Sequence, residues 1–324
     1  KACSVFLNRI CPRDCSYCNV VDFKKEKKKL SVEQWKKAFV ILEDCGVEFF
    51  LILGTEPLMI GDGLVELVKF WNSRDYEYGF YTTSPEPWFS KYKEKLKKVK
   101  IRNWSSGIDF LDEVYQSGNW SDFTRKLVEK EKDSLVRKAR EGVRGMLEMQ
   151  DTVKETHALI TVSKMNIEMV PEMVCWFVDN IKNIHIGINF VEFSMDKEMD
   201  FGKKKWDIPE YFFTKKDLPL LKELNRELLN LPKKYRNHIQ SPLSYFNKYD
   251  RILNLNHLCD LESMALGVDC DGTLRLCGYK ELGQKFSVFD LENLKEREKV
   301  FKIIEEKHKE CSGCYWVYPE ILSK

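Results

Sequence analysis

The chain has 324 residues, and its 53 Lys and Arg against 51 Asp and Glu leave a formal net charge of +2. This near-balance excludes a global attraction to nucleic acid or to an anionic membrane, so we expect neither as a partner. No apolar run approaches the roughly 18 residues of a membrane span and the first residues lack a secretory signal pattern, so we expect a cytoplasmic protein.

Short β-rich runs alternate with amphipathic helical stretches, a pattern that predicts an α/β fold with a parallel sheet and helical crossovers. Ser31 is expected to cap the first helix, with Gln34 as its capping-box partner. Predicted strands are residues 4–10, 47–53, 78–83, 101–108, 157–162 and 184–193, and predicted helices are 31–45, 64–71, a Lys-rich helix ending near 100, about 133–147 and about 167–178.

The pattern divides the chain into three parts. Residues 1–193 hold the strand and helix units, and within them the polar connection 109–133 is long enough to suggest an active-site cover. Residues 194–256 look like a connector with one helix near 218–229. Residues 257–324 carry five of the eleven cysteines, which predicts a second, smaller module.

Cys11, Cys15 and Cys18 follow the first predicted strand directly, where α/β folds place their ligand-binding loops. Cytosolic thiols stay reduced, so clustered cysteines are weighed first as metal ligands. Three thiolates at this spacing can hold a [4Fe–4S] cluster and leave one iron with an exchangeable site. A zinc site is the alternative.

The Cys-X3-Cys-X2-Cys spacing, with the aromatic Tyr17 before the last cysteine, resembles the signature of radical S-adenosylmethionine (SAM) enzymes. The resemblance implies a partial (β/α)6 barrel and a cluster whose open iron is chelated by SAM. It further implies anaerobic chemistry with an electron from a flavodoxin or ferredoxin, which cleaves SAM to a 5′-deoxyadenosyl radical that removes a hydrogen atom from substrate.

A second match lies at the end of the second strand, where Gly54-Thr55-Glu56-Pro57 resembles the family's Gly-Gly-Glu-Pro element. The resemblance implies that its backbone and Glu56 hold the SAM ammonium, although Thr55 replaces the second glycine. An ordinary turn is the alternative. Further candidates for SAM contacts, each with a turn or cap as its alternative, are Thr83, Ser84, Ser106, Ser163 and Asn166.

The second group of cysteines resembles the auxiliary-cluster modules of the same family. Cys259, twelve residues, Gly272, four residues and Cys277 match the start of such a module, and Asp271-Gly272 is a strong hairpin signal. Cys311 and Cys314 complete four ligands, and with no further cysteine after them we expect the shorter "twitch" version, with one auxiliary [4Fe–4S] cluster, rather than the larger SPASM version. Cys270 could replace Cys259, and a structural zinc site is the rival.

The whole arrangement resembles radical SAM enzymes of the 2-deoxy-scyllo-inosamine dehydrogenase and anaerobic sulfatase-maturase types. We expect an oxidoreductase that oxidises a small polar metabolite by two electrons, with the auxiliary cluster as electron acceptor. Modification or crosslinking of a peptide or protein side chain is the alternative, and an inactive metal-binding scaffold is the third hypothesis. The seven residues before Asn8 leave no room for a leader-recognition domain, and this counts modestly against the alternative of peptide modification.

The residue that accepts the substrate proton is not readable from the sequence. Asp109, Glu192, Arg102 and Lys164 lie near predicted strand ends and are candidates, with surface placement as the alternative for each. His157, His185 and His257 lie in or beside apolar runs and are interpreted as core residues without assigned chemistry.

Overall fold

A computed structural model describes residues 2–13, 29–53, 56–191, 211–241, 246–249, 253, 265–276 and 282–309. The strands are β1 (Ala2–Phe6), β2 (Phe49–Leu53), β3 (Glu77–Phe80), β4 (Asn103–Gly107), β5 (Glu155–Val162), β6 (Ile184–Phe190), β7 (Ala265–Val268) and β8 (Leu274–Leu276). The α-helices are α1 (Val32–Asp44), α2 (Asp62–Ser73), α3 (Trp88–Lys98), α4 (Asp112–Ser117), α5 (Asp122–Met149), α6 (Val170–Asn180), α7 (Leu218–Asn230), α8 (Lys233–Arg236) and α9 (Leu294–Lys309).

Strands β1 to β6 run parallel and in chain order around an open barrel. One sheet has the order β3-β2-β1-β7-β8 and the other the order β4-β5-β6. A parallel bridge between Tyr81 and Ser105 joins the two at the β3 and β4 edges. The fold is therefore α/β with parallel strands and helical crossovers, as the alternating pattern predicts, and its six parallel strands in chain order agree with the partial (β/α)6 barrel that the family resemblance implies.

Large apolar side chains on the outer face of the sheet pack against the helices. Phe50 of β2 meets Phe39 of α1 with ring centroids 4.9 Å apart, and Tyr78 of β3 meets Trp71 of α2 at 5.0 Å. Because successive strand residues point to opposite faces, the residues between these face the inside of the barrel. The inner-face positions of β3 to β6 include many small or polar residues, namely Gly79, Ser105, Gly107, His157, Thr161, His185, Gly187 and Asn189.

The capping box predicted for the first helix is present. Ser31 accepts a hydrogen bond from the Gln34 backbone N–H at 3.2 Å, and the Gln34 side chain accepts one from the Ser31 N–H at 2.9 Å. The first strand begins at Ala2 rather than at residue 4 and ends at Phe6. Residues 8–10, which the sequence pattern assigned to the strand, instead form the start of the cysteine loop.

The segment 109–133 is largely helical rather than the irregular connection that the sequence predicts. Helix α4 lies within it, and α5 begins at Asp122, where the Ser121 side chain accepts the Thr124 N–H. Leu127 and Val128 are buried on the apolar side of α5, and the role of the segment as an active-site cover stays a prediction. None of the helices in the described part of the chain combines the length and apolarity that crossing a bilayer requires.

The C-terminal hairpin forms as the sequence predicts, with β7 and β8 antiparallel and Gly272 in the left-handed region at φ +84°. The sequence did not predict where the hairpin packs. Strand β7 pairs in parallel with β1 and so extends the barrel sheet. In the described part of the connector, α7 buries Leu221, Leu224 and Leu228, and its bounds agree with the helix predicted near 218–229.

Candidate functional site

The cysteine loop leaves the barrel at the carboxyl end of β1 and is tied to β2 at once. The buried Asn8 donates a hydrogen bond from its side-chain amide to the Glu56 carbonyl at 2.8 Å, and its Oδ1 accepts the Ile10 N–H at 2.8 Å. The half-buried Cys11 follows, and its Sγ accepts the Arg13 backbone N–H at 3.4 Å. The predicted partners Cys15 and Cys18, with Tyr17, lie outside the described residues.

The Arg13 side chain fastens the other side of Cys11. Its Nε donates to Thr83 Oγ1 and its Nη2 to the Thr83 carbonyl, both at 3.2 Å, and Nη2 also pairs with Glu141 of α5. Arg13 is buried, so these contacts are made away from bulk water. The loop is thus held by β2, by the end of β3 and by α5, with Cys11 between the two attachments.

Glu56 is fully buried and connects the ends of β2 and β3. Its carboxylate accepts from Thr82 Oγ1 at 2.6 Å, from the Thr83 N–H at 2.8 Å and from Thr83 Oγ1 at 2.9 Å, and it caps the short 3-10 helix that starts at Pro57 by accepting the Leu58 N–H at 3.2 Å. Burial raises the pKa of Glu56, while these hydrogen bonds oppose that rise. The contact of Glu56 with the SAM ammonium stays a prediction, and Gly54 and Thr55 lie outside the described residues.

Two further SAM candidates near β3 and β4 are fully buried and have partners within the protein. Ser84 Oγ accepts the Trp104 indole N–H at 3.3 Å, and Ser106 Oγ donates to the Thr82 carbonyl at 2.7 Å. Thr83 is half-buried and shares its hydroxyl between Glu56 and Arg13. These bonds favour the turn alternative for Ser84 and Ser106.

The candidates after β5 form a tight turn. Asn166 donates to the Asp109 carbonyl at 2.8 Å and to the Thr161 carbonyl at 3.0 Å, and its Oδ1 accepts the Ser163 N–H at 2.8 Å. Ser163 Oγ accepts the Met165 N–H at 3.2 Å. Both side chains are buried, and their bonds favour the turn alternative.

Three of the four candidate proton acceptors lie within the described residues, and these three have separate partners. Asp109 is buried, forms an ion pair with Lys138 of α5, and accepts the Thr161 N–H at 2.9 Å. Lys164 follows β5 and pairs with Asp217 at 2.7 Å. Glu192 lies outside the described residues.

Arg102 needs a correction, because it precedes β4 and therefore lies at the amino end of the sheet, opposite the cysteine loop. There it pairs with Asp75 and, at 3.1 Å, with Glu77. Ligand-binding loops of such barrels follow the carboxyl ends of the strands, so a residue that precedes a strand lies on the far side from the site.

The inner face also brings together polar side chains that were not assigned chemistry. His157 of β5 and His185 of β6 are register partners, and their rings stack at 5.2 Å with an interplanar angle of 29°. Burial and the neighbouring His157 lower the pKa of His185. The sequence did contain a signal for this pair. His157 and His185 occupy matching positions on consecutive parallel strands, which makes them neighbours rather than separate core residues. His257 lies outside the described residues.

A family model described as "Radical SAM superfamily" matches residues 5–173, more than half of the chain. The chain belongs to the radical SAM superfamily. A curated relative from Archaeoglobus fulgidus, described as an uncharacterized protein, is 26% identical over 165 residues, which cover 51% of this chain and 35% of the relative. This radical SAM chain thus spans about a third of that relative's length.

Solved structures of similar fold include proteins that were crystallised with a bound peptide. Streptococcus suis SuiB bound to its precursor peptide SuiA superimposes with a TM-score of 0.61 at 15% identity, over 89% of this chain and 62% of that one. The structure titled native anSMEcpe with bound AdoMet and Cp18Cys peptide gives a TM-score of 0.57 at 17% identity, over 97% of this chain and 86% of that one. At these identities the likeness establishes the fold.

Radical SAM membership implies a [4Fe–4S] cluster and SAM, and the described part of the loop fits them. The half-buried Cys11 stands at the carboxyl end of β1, and the backbone N–H directed at its sulfur is the kind of donor that tunes ligating thiolates in such clusters. Within the described ranges no three His, Cys, Asp or Glu side chains converge on one metal position. The set Cys11, Cys15 and Cys18 stays a prediction, and of its three members Cys11 lies within the described residues.

Proposed function

We propose that this radical SAM enzyme oxidises a C–H bond in the side chain of a peptide substrate by two electrons. The observation that carries the proposal is the double attachment of the cysteine loop, through Asn8 on one side of Cys11 and Arg13 on the other. Such attachment fixes a ligand loop at the carboxyl ends of the strands, where barrels of this kind place their reactive centre.

The proposed ligands of the catalytic cluster are Cys11, Cys15 and Cys18, and the proposed SAM contacts begin with Gly54, Thr55, Glu56 and Pro57. When bound and reduced by one electron from a flavodoxin or ferredoxin, the cluster and SAM would supply a 5′-deoxyadenosyl radical. This radical would take one hydrogen atom from the substrate C–H bond, after which the substrate would lose a proton and a second electron. Glu56 keeps the ends of β2 and β3 together through Thr83, and Thr83 in turn holds Arg13. These residues position the loop and exclude water from beneath it.

The peptide substrate is supported by the fold neighbours. SuiB was solved with a precursor peptide and anSMEcpe with a peptide, and both structures cover most of this chain. A small polar metabolite remains the second candidate, favoured by the polar inner-face residues His157, Thr161 and Asn189, which suit a hydrogen-bonding ligand.

The second electron is proposed to pass to an auxiliary [4Fe–4S] cluster on Cys259, Cys277, Cys311 and Cys314, in a twitch-like module at residues 257–324. All four cysteines lie outside the described residues. Support comes from the hairpin between Cys259 and Cys277, which packs beside β1. Four thiolates leave no open iron, which suits electron transfer better than substrate binding. Zinc at the same thiolates is the rival.

Anaerobic reconstitution tests the cofactor content. We expect about eight irons per chain, as two four-iron clusters require, and reductive cleavage of SAM to 5′-deoxyadenosine. A Cys15→Ala variant should lose cleavage and about half of the iron. A Cys314→Ala variant should lose the auxiliary half and keep the cleavage. Bound zinc and no cleavage in the unaltered enzyme would contradict the proposal.

The substrate class is tested by deuterium transfer. Deuterated peptide libraries and deuterated polar metabolites are supplied separately, and deuterium is sought in 5′-deoxyadenosine by mass spectrometry. We expect transfer from a peptide pool, together with a peptide product lighter by two hydrogens or carrying a crosslink. Transfer from metabolites alone would replace the peptide with the second candidate. The Cys15→Ala variant gives the background for both arms.

A further inference from the structure

The turn of the C-terminal hairpin, residues 269–272, contacts the start of the cysteine loop through a buried carboxylate. Asp269 follows β7, and its Oδ1 accepts a hydrogen bond from Arg9 Nε at 2.7 Å. The same oxygen accepts the Cys270 backbone N–H at 2.7 Å. Arg275 of β8 donates to Oδ2 from Nε at 3.2 Å and from Nη2 at 2.9 Å. Asp269 is 1% exposed, so the hairpin itself fixes the carboxylate that binds Arg9.

The same turn contacts the other end of the cysteine loop. The Leu30 backbone N–H donates to the Cys270 carbonyl at 2.8 Å, one residue before Ser31 caps α1. The Leu30 side chain reaches the turn as well, because its two terminal methyl groups lie 3.4 and 3.5 Å from the position that a Cβ on Gly272 would take. The end of the loop is thus held by the residue next to the one that holds its start.

The pairing of two strands explains how one turn reaches both ends of the loop. Strand β7 pairs in parallel with β1. The hairpin turn and the cysteine loop therefore leave the sheet at the same carboxyl edge, where barrels of this kind place their reactive centre. We call the two contacts, of Asp269 with Arg9 and of Cys270 with Leu30, the hairpin clasp.

Fixing both ends of a ligand loop lowers the conformational entropy that the loop loses when it binds its ligand. The segment between the two contacts carries Cys11 and the predicted ligands Cys15 and Cys18. A segment with free ends must order those ends before three thiolates converge on one cluster, whereas a segment whose ends are already held avoids part of that cost. Pre-organisation of this kind strengthens binding without adding a contact to the ligand.

We propose that the hairpin clasp holds the cysteine loop in the shape that retains the SAM-binding cluster, with Asp269 as the positioning residue that acts through Arg9. The C-terminal part of the chain thereby stabilises a cluster whose proposed ligands all belong to the N-terminal part. This inference depends on the superfamily membership, which implies the cluster. It depends neither on the peptide substrate nor on the auxiliary cluster of the proposed function.

The test opens the two contacts of the clasp separately. Arg9→Gln removes the guanidinium at the start of the loop and leaves Asp269 paired with Arg275. Leu30→Pro removes the N–H at the end of the loop, and Leu30→Ala is its matched control because it shortens the side chain and keeps the N–H. The reconstituted, reduced enzyme is mixed with an iron chelator without air. The paramagnetic signal that changes on addition of SAM is then followed over time.

Opening either contact should speed the loss of that signal. Arg9→Gln should lose it about ten-fold faster than the unaltered enzyme, because a hydrogen bond between charged groups is removed. Leu30→Pro should lose it several-fold faster, and Leu30→Ala should stay near the unaltered enzyme. Asp269→Asn should resemble Arg9→Gln. If Asp269→Asn does not fold because two buried guanidiniums lose their carboxylate, Arg9→Gln and the Leu30 pair decide.

A general loss of stability is separated from positioning by Lys138→Met. This variant unpairs the buried Asp109 in the other half of the barrel and does not touch the clasp. Below its unfolding transition in urea, Lys138→Met should keep the SAM-responsive signal as long as the unaltered enzyme does. Equally fast loss in Lys138→Met and Arg9→Gln would overturn the proposal, and so would equal rates for Leu30→Pro and Leu30→Ala.

The outcome is separable from that of the proposed function. Iron analysis reports on the auxiliary cluster, since about four irons per chain instead of about eight would remove that cluster from the proposed function. The SAM-responsive signal belongs to the other cluster, so its rate of loss would still decide the role of the hairpin clasp.

Discussion

The two halves of the barrel treat their buried carboxylates differently. At the end of β2, the Glu56 carboxylate accepts hydrogen bonds from uncharged donors in the part of the chain that the structure describes, among them Thr82 and Thr83. After β4, Asp109 is neutralised by the ammonium of Lys138. Both side chains are buried at the same edge of the sheet.

The contacts of the first half extend outward to the cysteine loop, since Thr83 holds Glu56 on one side and Arg13 on the other. Those of the second half close on the scaffold, where Asp109 connects α5 to the end of β5 through Lys138 and the Thr161 N–H. The difference predicts that loss of the Glu56 contacts reaches the cofactor chemistry, whereas loss of the Lys138 partner of Asp109 lowers stability alone.

The largest expected effect is in the second half. Lys138→Met leaves the Asp109 carboxylate buried without its counter-charge, which costs about 3 to 5 kcal/mol of unfolding free energy. Anaerobic urea denaturation followed by tryptophan fluorescence measures the loss. SAM cleavage per cluster should be unchanged below the unfolding transition.

Lys132→Met is the matched control, because Lys132 is on the same helix and pairs with Glu129 at the surface, where solvent screens the pair and it contributes little to stability. Similar losses for Lys138→Met and Lys132→Met would contradict the assignment of Asp109 to a buried structural pair. Recovery of stability in a Lys138→Met, Asp109→Asn double variant would support it further.

Much of the fold on which these two carboxylates lie could be predicted from the sequence. The six strands and the capping box at Ser31 follow from periodicity and local hydrogen bonding, which depend on neighbouring residues. The extent of α5 was missed because its first turns are highly charged. These turns are held against the barrel by the buried Leu127 and Val128, and such a tertiary contact leaves no local pattern in the sequence.

The individual site contacts were less accessible. The motif placed Glu56 near the cofactor. Its hydrogen bonds to Thr82 and Thr83, however, join residues that are 26 and 27 positions apart in the sequence. Arg13 was not singled out at all, since its partner Glu141 follows it by 128 residues. Long-range polar contacts of this kind leave no periodic trace in a single sequence.

An intermediate effect is expected in the first half. Glu56→Gln keeps the shape but replaces one acceptor oxygen with a donor that faces the Thr82 or Thr83 donors, so at least one buried group loses its partner, at about 1 to 3 kcal/mol. Unlike Lys138→Met, it should also slow SAM cleavage per cluster, because Thr83 no longer fixes Arg13. Glu129→Gln, at an exposed position of α5, is the control. Normal cleavage by the Glu56→Gln enzyme would remove the distinction between the two halves.

The smallest effect concerns the inner face of the second half, where His185 stacks on His157. Burial, the proximity of His157 and, more weakly, His238 lower the pKa of His185 below its ordinary value of 6.5, against the opposing effect of Glu155. Between that lowered pKa and 6.5, the unfolded chain therefore binds more protons than the folded chain. The contribution of a neutral His185 to the free energy of unfolding is thus fully present above pH 6.5 and decreases as the pH drops through this window. One proton limits the slope to about 1.4 kcal/mol per pH unit. Urea midpoints of the unaltered enzyme between pH 7.5 and 5.5 should decrease more than those of His185→Phe, and equal slopes would show that this stacked pair does not couple folding of the β4–β6 half to pH.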